Sequence, residues 1–246
     1  MDWQAPAVVL EARPYGEGDL VASVLTEGLG LCRGLARGGA ARGRVSLWQP
    51  GNLIEARWVA RLADQLGSFT AELVHPGAAL AMEDPLALAI LAAACSVATG
   101  ALPEREAHPR VFQGLVRLVA GLSHGTPRLA ELVRWEAALL AELGYGLNLS
   151  SCAVSGAIEG LAYVSPRTGR AVTEDAAGIW RDRLLRLPGF LLRPDAEGTA
   201  ADWRDGLRLT GHFLAREAFG AHHKPLPPAR QMLYDRVTAL ETPDAG

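Results

Sequence analysis

The chain has 246 residues, 49% of them hydrophobic, and a formal net charge of −3. These values predict a soluble globular protein with a substantial core, and the overall charge does not indicate a nucleic-acid binder. The longest apolar run, residues 85–100, is too short to cross a bilayer, and the N-terminus lacks the pattern of a secretory signal. The sequence therefore predicts a cytoplasmic protein with no membrane contact and with three free cysteine thiols.

Residues 1–80 contain five short segments with the pattern of β-strands. Each segment alternates or runs apolar, is rich in Val, Leu, Phe or Trp, and is bounded by Gly, Asp or Pro turn signals. The segments cover residues 5–14, 20–26, 30–37, 52–62 and 68–74. Five strands in this length fit a small closed barrel, of which the OB-fold is the commonest. We therefore predict an OB-fold domain over residues 1–80.

The third predicted strand and the connection after it are strongly cationic. Residues 28–44 read "GLGLCRGLARGGAARGR", and no acidic residue occurs between Glu27 and Glu55, so the stretch carries a local charge of +4. The four arginines are Arg33, Arg37, Arg42 and Arg44. Composition alone favours a solvated loop between strands, but loops at the ligand face of an OB barrel carry the cationic and aromatic side chains that hold nucleic acid. Trp48 and Trp58 are candidate stacking platforms; core packing is the alternative for both, and it is favoured for Trp58.

After residue 80 the apolar period becomes helical. Asp84 and Pro85 open the first of these segments as a capping residue and a first-turn proline. The helical segments cover residues 83–99, 111–122, 128–144, 201–220 and 227–240. Residues 150–177 are neither helical nor apolar enough to be core and predict a compact insertion of short strands and turns. The fold class is thus α+β, with a helical domain over residues 81–246 that carries this insertion.

The search for catalytic motifs is negative. The chain has no phosphate-binding loop of the GxxxxGK[ST] type, no GxSxG elbow and no HExxH zinc helix. His222 and His223 have no companion ligand nearby in sequence, and Glu136 on an amphipathic helix is expected to be a surface charge. An unrecognised enzyme with a histidine base remains an alternative. The candidate bases are His108, His124 and His212.

Three stretches resemble the RecO family of DNA repair and recombination mediators. They read "TEGLGLCRGLARGGAARGRVSLWQPGNLIEARW", "LVRWEAALLAELGYGLNLSSCAVSG" and "HHKPLPPARQMLYDRV". They follow the family's order and span nearly the whole chain. The resemblance implies a non-enzymatic protein, without cofactors, that binds single- and double-stranded DNA and anneals complementary strands. It also implies a cytoplasmic, nucleoid-associated role in loading the recombinase RecA, together with RecR, on DNA coated by single-strand-binding protein.

The resemblance also implies roles for individual residues. The four loop arginines would grip phosphates without reading sequence, with Trp48 beside them. Lys224 and Arg230 would extend the basic surface onto the helical domain. Arg134 would bind the acidic C-terminal tail of single-strand-binding protein. The remaining alternative is an adaptor that binds proteins but has lost DNA affinity.

One departure from the family concerns zinc. Many members hold the metal with two Cys pairs in the insertion, and the corresponding positions here are Cys152, Ser155, Thr173 and Ala176. One thiolate cannot assemble a four-ligand zinc site, so we expect no metal. The insertion is expected to pack instead through apolar side chains, namely Leu161, Tyr163, Val164 and Val172.

Overall fold

The structure is a computed structural model that describes residues 1–62, 65–122, 128–193, 195–196 and 198–240. The chain divides into two compact units, Met1–Arg128 and Leu129–Gly246. The first unit contains all five predicted strands and the helices that follow them directly. The domain boundary predicted at residue 80 marks the change from strands to helices inside this unit, and as a domain boundary it stays a prediction. Within the described residues, no helix is long and apolar enough to span a membrane.

The first unit begins with a closed five-stranded barrel. Its strands are β1 (Asp2–Tyr15), β2 (Asp19–Thr26), β3 (Gly30–Ala36), β4 (Leu53–Val59) and β5 (Ser68–His75). They pair in the order β1-β2-β3-β5-β4, and β4 closes the barrel on β1. The 14-residue β1 serves two neighbours, because its first half pairs with β4 and its second half with β2. The register shifts between Val9 and Glu11, where a bulge helps the strand to turn around the barrel. This arrangement confirms the predicted OB-fold.

The barrel interior combines small aliphatic side chains with a group of aromatic rings. Trp58 is 5% exposed, as the core interpretation predicted, and its Nε1 donates hydrogen bonds to the carbonyl oxygens of Arg33 and Leu66 at 3.1 Å each. Gly67 is required beside the indole, because a Cβ there would lie 2.3 Å from the Trp58 ring at a backbone φ of +66°. Trp58 is therefore held rigidly from two sides.

Three helices complete the described part of the first unit, α1 (Gly77–Ala81), α2 (Pro85–Ala101) and α3 (Pro109–Gly121). As predicted, α2 begins at an Asp84 cap, whose Oδ1 accepts from the amide of Leu86 at 2.8 Å, with Pro85 in the first turn. The apolar face of α2 packs on β1. The segment between α2 and α3 then returns to the barrel, where the amide of Arg105 donates to the carbonyl of Leu31 at 2.9 Å.

The second unit is helical with a small sheet inserted. In chain order its elements are α4 (Leu129–Glu142), β6 (Leu161–Val164), β7 (Ala171–Thr173), α5 (Glu174–Ala177), β8 (Leu185–Arg186), α6 (Ala200–Phe213) and α7 (Pro228–Ala239). Helix α6 continues as a π-helical turn over Leu214–Phe219. The strands form a sheet of order β7-β6-β8, so the insertion consists of short strands and turns, as predicted, but extends to Arg186. Tyr163 and Val172 lie in its small apolar core with Cys152.

A buried ionic network joins three helices of the second unit. Arg230 on α7 is 1% exposed and donates to both carboxylate oxygens of Glu136 on α4, at 2.5 and 3.0 Å. Thr210 on α6 donates to the same carboxylate at 2.5 Å. Glu136 is fully buried, so the expectation that it is a surface charge is wrong. With its charge paired and its oxygens hydrogen-bonded, the carboxylate is tolerated in the interior.

Candidate nucleic-acid interface

The predicted cationic stretch, residues 28–44, includes β3. The segment that follows β3, residues 37–52, is a sequence of turns fastened to the barrel, and we call it the arginine loop. The amide of Gly38 donates to the Asp19 carboxylate at 2.7 Å, and the amide of Ala40 donates to the carbonyl of Gly18 at 3.1 Å. Gly38 has a φ of +62°, which favours glycine at this point. These bonds tie the loop to the turn between β1 and β2, so its cations project from an ordered support.

Two of the loop arginines lie beside one cleft. Arg37 and Arg44 line a cleft of about 410 Å³ next to β5, which we call the arginine cleft, with Trp48 and Phe69 among its other lining residues. Arg44 Nη1 donates to the carbonyl of Arg37 at 3.4 Å, which connects the two residues. Arg37, Arg42 and Arg44 are all exposed, and in the described part of the chain no carboxylate lies within 4.0 Å of their guanidinium groups. Their charges are thus available to an external anion.

Arg33 is in a different position from the other three. It is exposed on β3, and its Nη1 lies 3.0 Å from Glu104 Oε1. It lines a second cleft of about 460 Å³, the tryptophan cleft, together with Trp3, Cys32, Trp58 and Arg105. The structure therefore groups Arg37 and Arg44, keeps Arg42 on the same loop, and separates Arg33 from them.

Trp48 belongs to the barrel core. Its side chain is 4% exposed, and its ring centroid lies 6.0 Å from that of Phe69. It borders the arginine cleft but has no open ring face for a base, because barrel side chains cover it. Its assignment as a stacking platform is therefore replaced by the core alternative.

The residues predicted in the second unit occupy three different environments. Lys224 is exposed just after His223, whose φ of 54° is left-handed, and it remains a candidate for a phosphate contact. Arg230 is buried against Glu136, so the prediction that it belongs to a basic surface is wrong. Arg134 is half-buried, with Nε donating to the carbonyl of Phe190 at 3.0 Å and Nη2 to that of Ala196 at 2.6 Å.

The contacts of Arg134 fasten a backbone segment. Its guanidinium also lies 5.6 Å from the centroid of the Phe190 ring, so it holds the turn that precedes α6. These carbonyl bonds occupy donors that an acidic tail would need. The role of Arg134 toward single-strand-binding protein stays a prediction.

Two of the three candidate histidine bases, His108 and His212, lie in the part of the chain that the structure describes. His108 is 4% exposed, and its Nε2 lies 3.8 Å from Glu106 Oε1. His212 Nε2 is 3.0 Å from the carbonyl oxygen of Pro166. His124 lies outside the described residues. Over the ranges that the structure describes, no three His, Cys, Asp or Glu side chains gather as a metal site.

Comparison with known proteins identifies the family. Residues 1–76 match the model for the N-terminal region of Recombination protein O, and residues 82–226 match the model for its C-terminal region. The chain belongs to the RecO family.

Relatives named DNA repair protein RecO cover nearly the whole chain. The protein of Acidiphilium cryptum is 62% identical over 241 residues, which span 97% of this chain and 96% of the relative. That of Granulibacter bethesdensis is 61% identical over 242 residues, 98% of this chain and 97% of the relative. That of Rhodospirillum centenum is 46% identical over 245 residues, with the same two coverages. RecO membership supports a role in DNA repair and recombination.

The four positions that the resemblance aligned with zinc ligands converge in the insertion. Cys152 Sγ accepts hydrogen bonds from the amides of Ser155 and Thr173 at 3.4 Å each and from Val154 at 3.5 Å. Thr173 Oγ1 accepts from the amide of Ala176 at 3.3 Å. One sulfur, two hydroxyls and a methyl do not fit zinc, which takes four nitrogen, sulfur or carboxylate ligands. The sulfur accepts hydrogen bonds from backbone amides instead of binding a metal ion.

The side chain of Ser155 and these amides change the acidity of the Cys152 thiol. Burial opposes ionisation, but the hydrogen bonds from Ser155, Thr173 and Val154 outweigh it and lower the pKa of this thiol from 9.0 to about 6. Burial alone raises the pKa of Cys95 to about 12. All three cysteines are free and buried, as the sequence predicted for their redox state.

Trp3 and Arg105 are functional candidates that sequence reasoning missed. Trp3 lies two residues before the predicted start of the first strand, on the same alternating face as Ala5 and Ala7. That alternation was the available signal for an inward-facing ring. Arg105 carries no such signal, because its position depends on how the segment before α3 crosses β3.

Proposed function

We propose that this RecO-family chain is a non-enzymatic mediator that binds single- and double-stranded DNA without sequence specificity. The observation that supports it is the arginine loop, in which Arg37, Arg42 and Arg44 are exposed without a carboxylate partner among the described residues. Each planar guanidinium can donate two parallel hydrogen bonds to a phosphate. Phosphates repeat along any DNA, so contacts of this kind position a strand and leave its sequence unread.

We also propose that the chain anneals complementary strands, and the proposed binding mode gives a physical reason. Two complementary strands repel each other through their phosphates, and a cationic loop that neutralises part of that charge lowers the repulsion. Lys224 is proposed as an additional phosphate contact on the second unit. We further propose that the chain works with RecR, through the C-terminal tail of single-strand-binding protein, to load RecA on chromosomal DNA in the cytoplasm.

The test is a salt titration of DNA binding for wild type, the double variant Arg37→Ala/Arg42→Ala and a control, Arg117→Ala. Arg117 is an exposed arginine of α3 that does not line the arginine cleft, so the control removes a cation from another part of the first unit. In the double variant the slope of log affinity against log salt should fall in magnitude by up to about two, equally for unrelated sequences. The control should retain most of the wild-type slope.

Two outcomes would count against the proposal. An unchanged slope in the double variant would remove the loop from the interface. Absence of DNA binding by the wild type at low salt would favour the protein-binding adaptor over the mediator.

A further inference from the structure

The tryptophan cleft combines flat apolar walls with cations. Phosphate binding by the arginine loop gives no role to these aromatic walls. Its volume of about 460 Å³ is in the range of small-molecule sites. Trp3 is half-buried and lies nearly parallel to Trp58, with ring centroids 6.1 Å apart and an interplanar angle of 15°. Because Trp58 is fixed by two hydrogen bonds and by Gly67, it is a firm backing for Trp3. Indole surface therefore borders the cleft in a preformed arrangement.

Arg105 is held at the cleft by a strained backbone. Its φ of 62° is left-handed, which is uncommon for a residue with a side chain and costs about 1 to 3 kcal/mol. The hydrogen bond from its amide to Leu31 maintains this conformation, and the guanidinium carbon lies 5.7 Å from the centroid of the Trp58 ring. Such strain persists only where the surroundings enforce it, and it is common at binding sites.

The charges around the cleft favour an anionic ligand with a flat apolar part. Arg33 and Arg105 both line it. The carboxylate of Asp2, also in the lining, is 2.7 Å from the guanidinium of Arg57, and that of Glu104 is 3.0 Å from Arg33. The acidic groups are thus compensated by arginines. A nucleotide has the complementary chemistry, with a π-face for the indole and phosphates for the cations.

We propose that the tryptophan cleft takes an unpaired base of single-stranded DNA, with Arg33 and Arg105 on the phosphates beside it. This inference rests on the proposed DNA-binding function and assigns a new site to it. The arginine loop contacts phosphates, which paired and unpaired strands share. A base in a duplex is stacked and paired, and it must be flipped out at a cost of a few kcal/mol before it reaches a ring. The cleft therefore makes the protein prefer unpaired strands.

The site has a structural link to the arginine cleft within the first unit. Trp3 contacts Phe69 edge to face at 5.9 Å between centroids, and Phe69 lines the arginine cleft. The two clefts thus border one aromatic cluster of the barrel.

The experiment compares two single-stranded oligonucleotides of equal length, oligo-dT and an oligomer with the same phosphates but abasic sugars. Wild type should bind oligo-dT roughly tenfold more tightly than the abasic oligomer, because stacking needs a base. Trp3→Leu, which keeps an apolar side chain but removes the π-face, should bind the two equally. Trp3→Phe should keep most of the preference, and all variants should bind duplex DNA as wild type does. Trp180→Ala, which removes a 55% exposed tryptophan of the second unit, is the matched control and should keep the full preference.

The outcomes separate this inference from the proposed function. Equal binding of oligo-dT and the abasic oligomer by wild type would overturn the base site and leave phosphate binding intact. A preference that survives Trp3→Leu would place the base elsewhere and also overturn it. If wild type binds neither oligomer nor duplex, the proposed function fails and this inference fails with it. The wild-type comparison needs no substitution, so it holds even if Trp3→Leu lowers stability.

Discussion

Arg37 in the first unit and Arg230 in the second were both predicted to hold DNA phosphates, yet they occupy opposite environments. Arg37 is exposed, with no carboxylate within 4.0 Å among the described residues. Arg230 is 1% exposed and bonded to a carboxylate 94 residues away in the chain. Around Arg37 the local sequence is sufficient to predict exposure, because residues 37–44, RGGAARGR, carry no large apolar side chain that could bury the cation. The burial of Arg230, by contrast, depends on its ion pair with Glu136, which is distant in the sequence.

Removal of the buried cation is the strongest test of the difference between these two arginines. Arg230→Met leaves the Glu136 carboxylate buried without its partner, and we expect the free energy of unfolding to fall by about 3 to 5 kcal/mol. Urea denaturation measures the change. Arg37→Ala should alter stability by less than about 0.5 kcal/mol, because its side chain is exposed.

A second variant tests whether the ion pair itself is responsible for that loss. In Arg230→Met/Glu136→Leu both charges are removed, and we expect most of the lost stability to return. A double variant as unstable as Arg230→Met would show that the packing of the arginine stem, and not the orphaned charge, dominates. The salt dependence of DNA binding should stay at the wild-type value in both variants.

The Cys152 thiolate is a second buried charge, and it is hydrogen-bonded by backbone amides and by the hydroxyls of Ser155 and Thr173 instead of being paired with a cation. Its pKa is lowered to about 6 in the folded chain, against 9.0 for an ordinary thiol. The resulting stabilisation is complete above the ordinary pKa and is lost as the pH falls through about 6. It amounts to at most about 4 kcal/mol. The stability difference between wild type and Cys152→Ser should therefore be larger at pH 9 than at pH 5, as measured by urea denaturation.

Cys95→Ser is the matched control, since the pKa of this buried thiol is raised to about 12 and it stays neutral across the same range. Its stability difference from wild type should change by less than about 0.5 kcal/mol between pH 5 and pH 9, because only the unfolded thiol begins to ionise in that range. Chelator should leave the melting temperature of the wild type unchanged, because the donors around Cys152 do not fit zinc. About one zinc per chain, lost on Cys152→Ser, would contradict this account of the thiol.

Arg134 is half-buried and bonded to backbone carbonyls, and its variant should lower stability less than Arg230→Met does. Arg134→Ala removes donors from the carbonyls of Phe190 and Ala196, and we expect a loss of about 1 to 2 kcal/mol. If the guanidinium also binds the acidic tail of single-strand-binding protein, the affinity for a tail peptide should fall about tenfold. Arg170→Ala, at an exposed site of the insertion, should change neither quantity. Isothermal titration well below the melting temperature separates the two effects.

Much of the fold was predictable because its signals are local. The alternating apolar pattern predicted all five barrel strands, and β3 and β5 begin at the predicted residues. The Asp84 and Pro85 pair predicted the start of α2 to the residue. These features depend on backbone preference and on neighbours within a few positions. The missed elements, such as the five-residue α1 and the two-residue β8, are too short to carry a period.

By itself, the sequence determined the barrel, the helical half, the arginine loop and the lack of a zinc ligand set at the family's four positions. Each follows from residue type and spacing along the chain. Only the tertiary structure decided that Trp48 and Arg230 are interior, that Arg134 fastens a turn, and that Trp3, Trp58 and Arg105 border one cleft. The physical reason is that burial and ion pairing depend on residues far apart in the chain, Glu136 and Arg230 being 94 positions from each other. Residue polarity and local spacing do not indicate which distant residues come into contact in the folded chain.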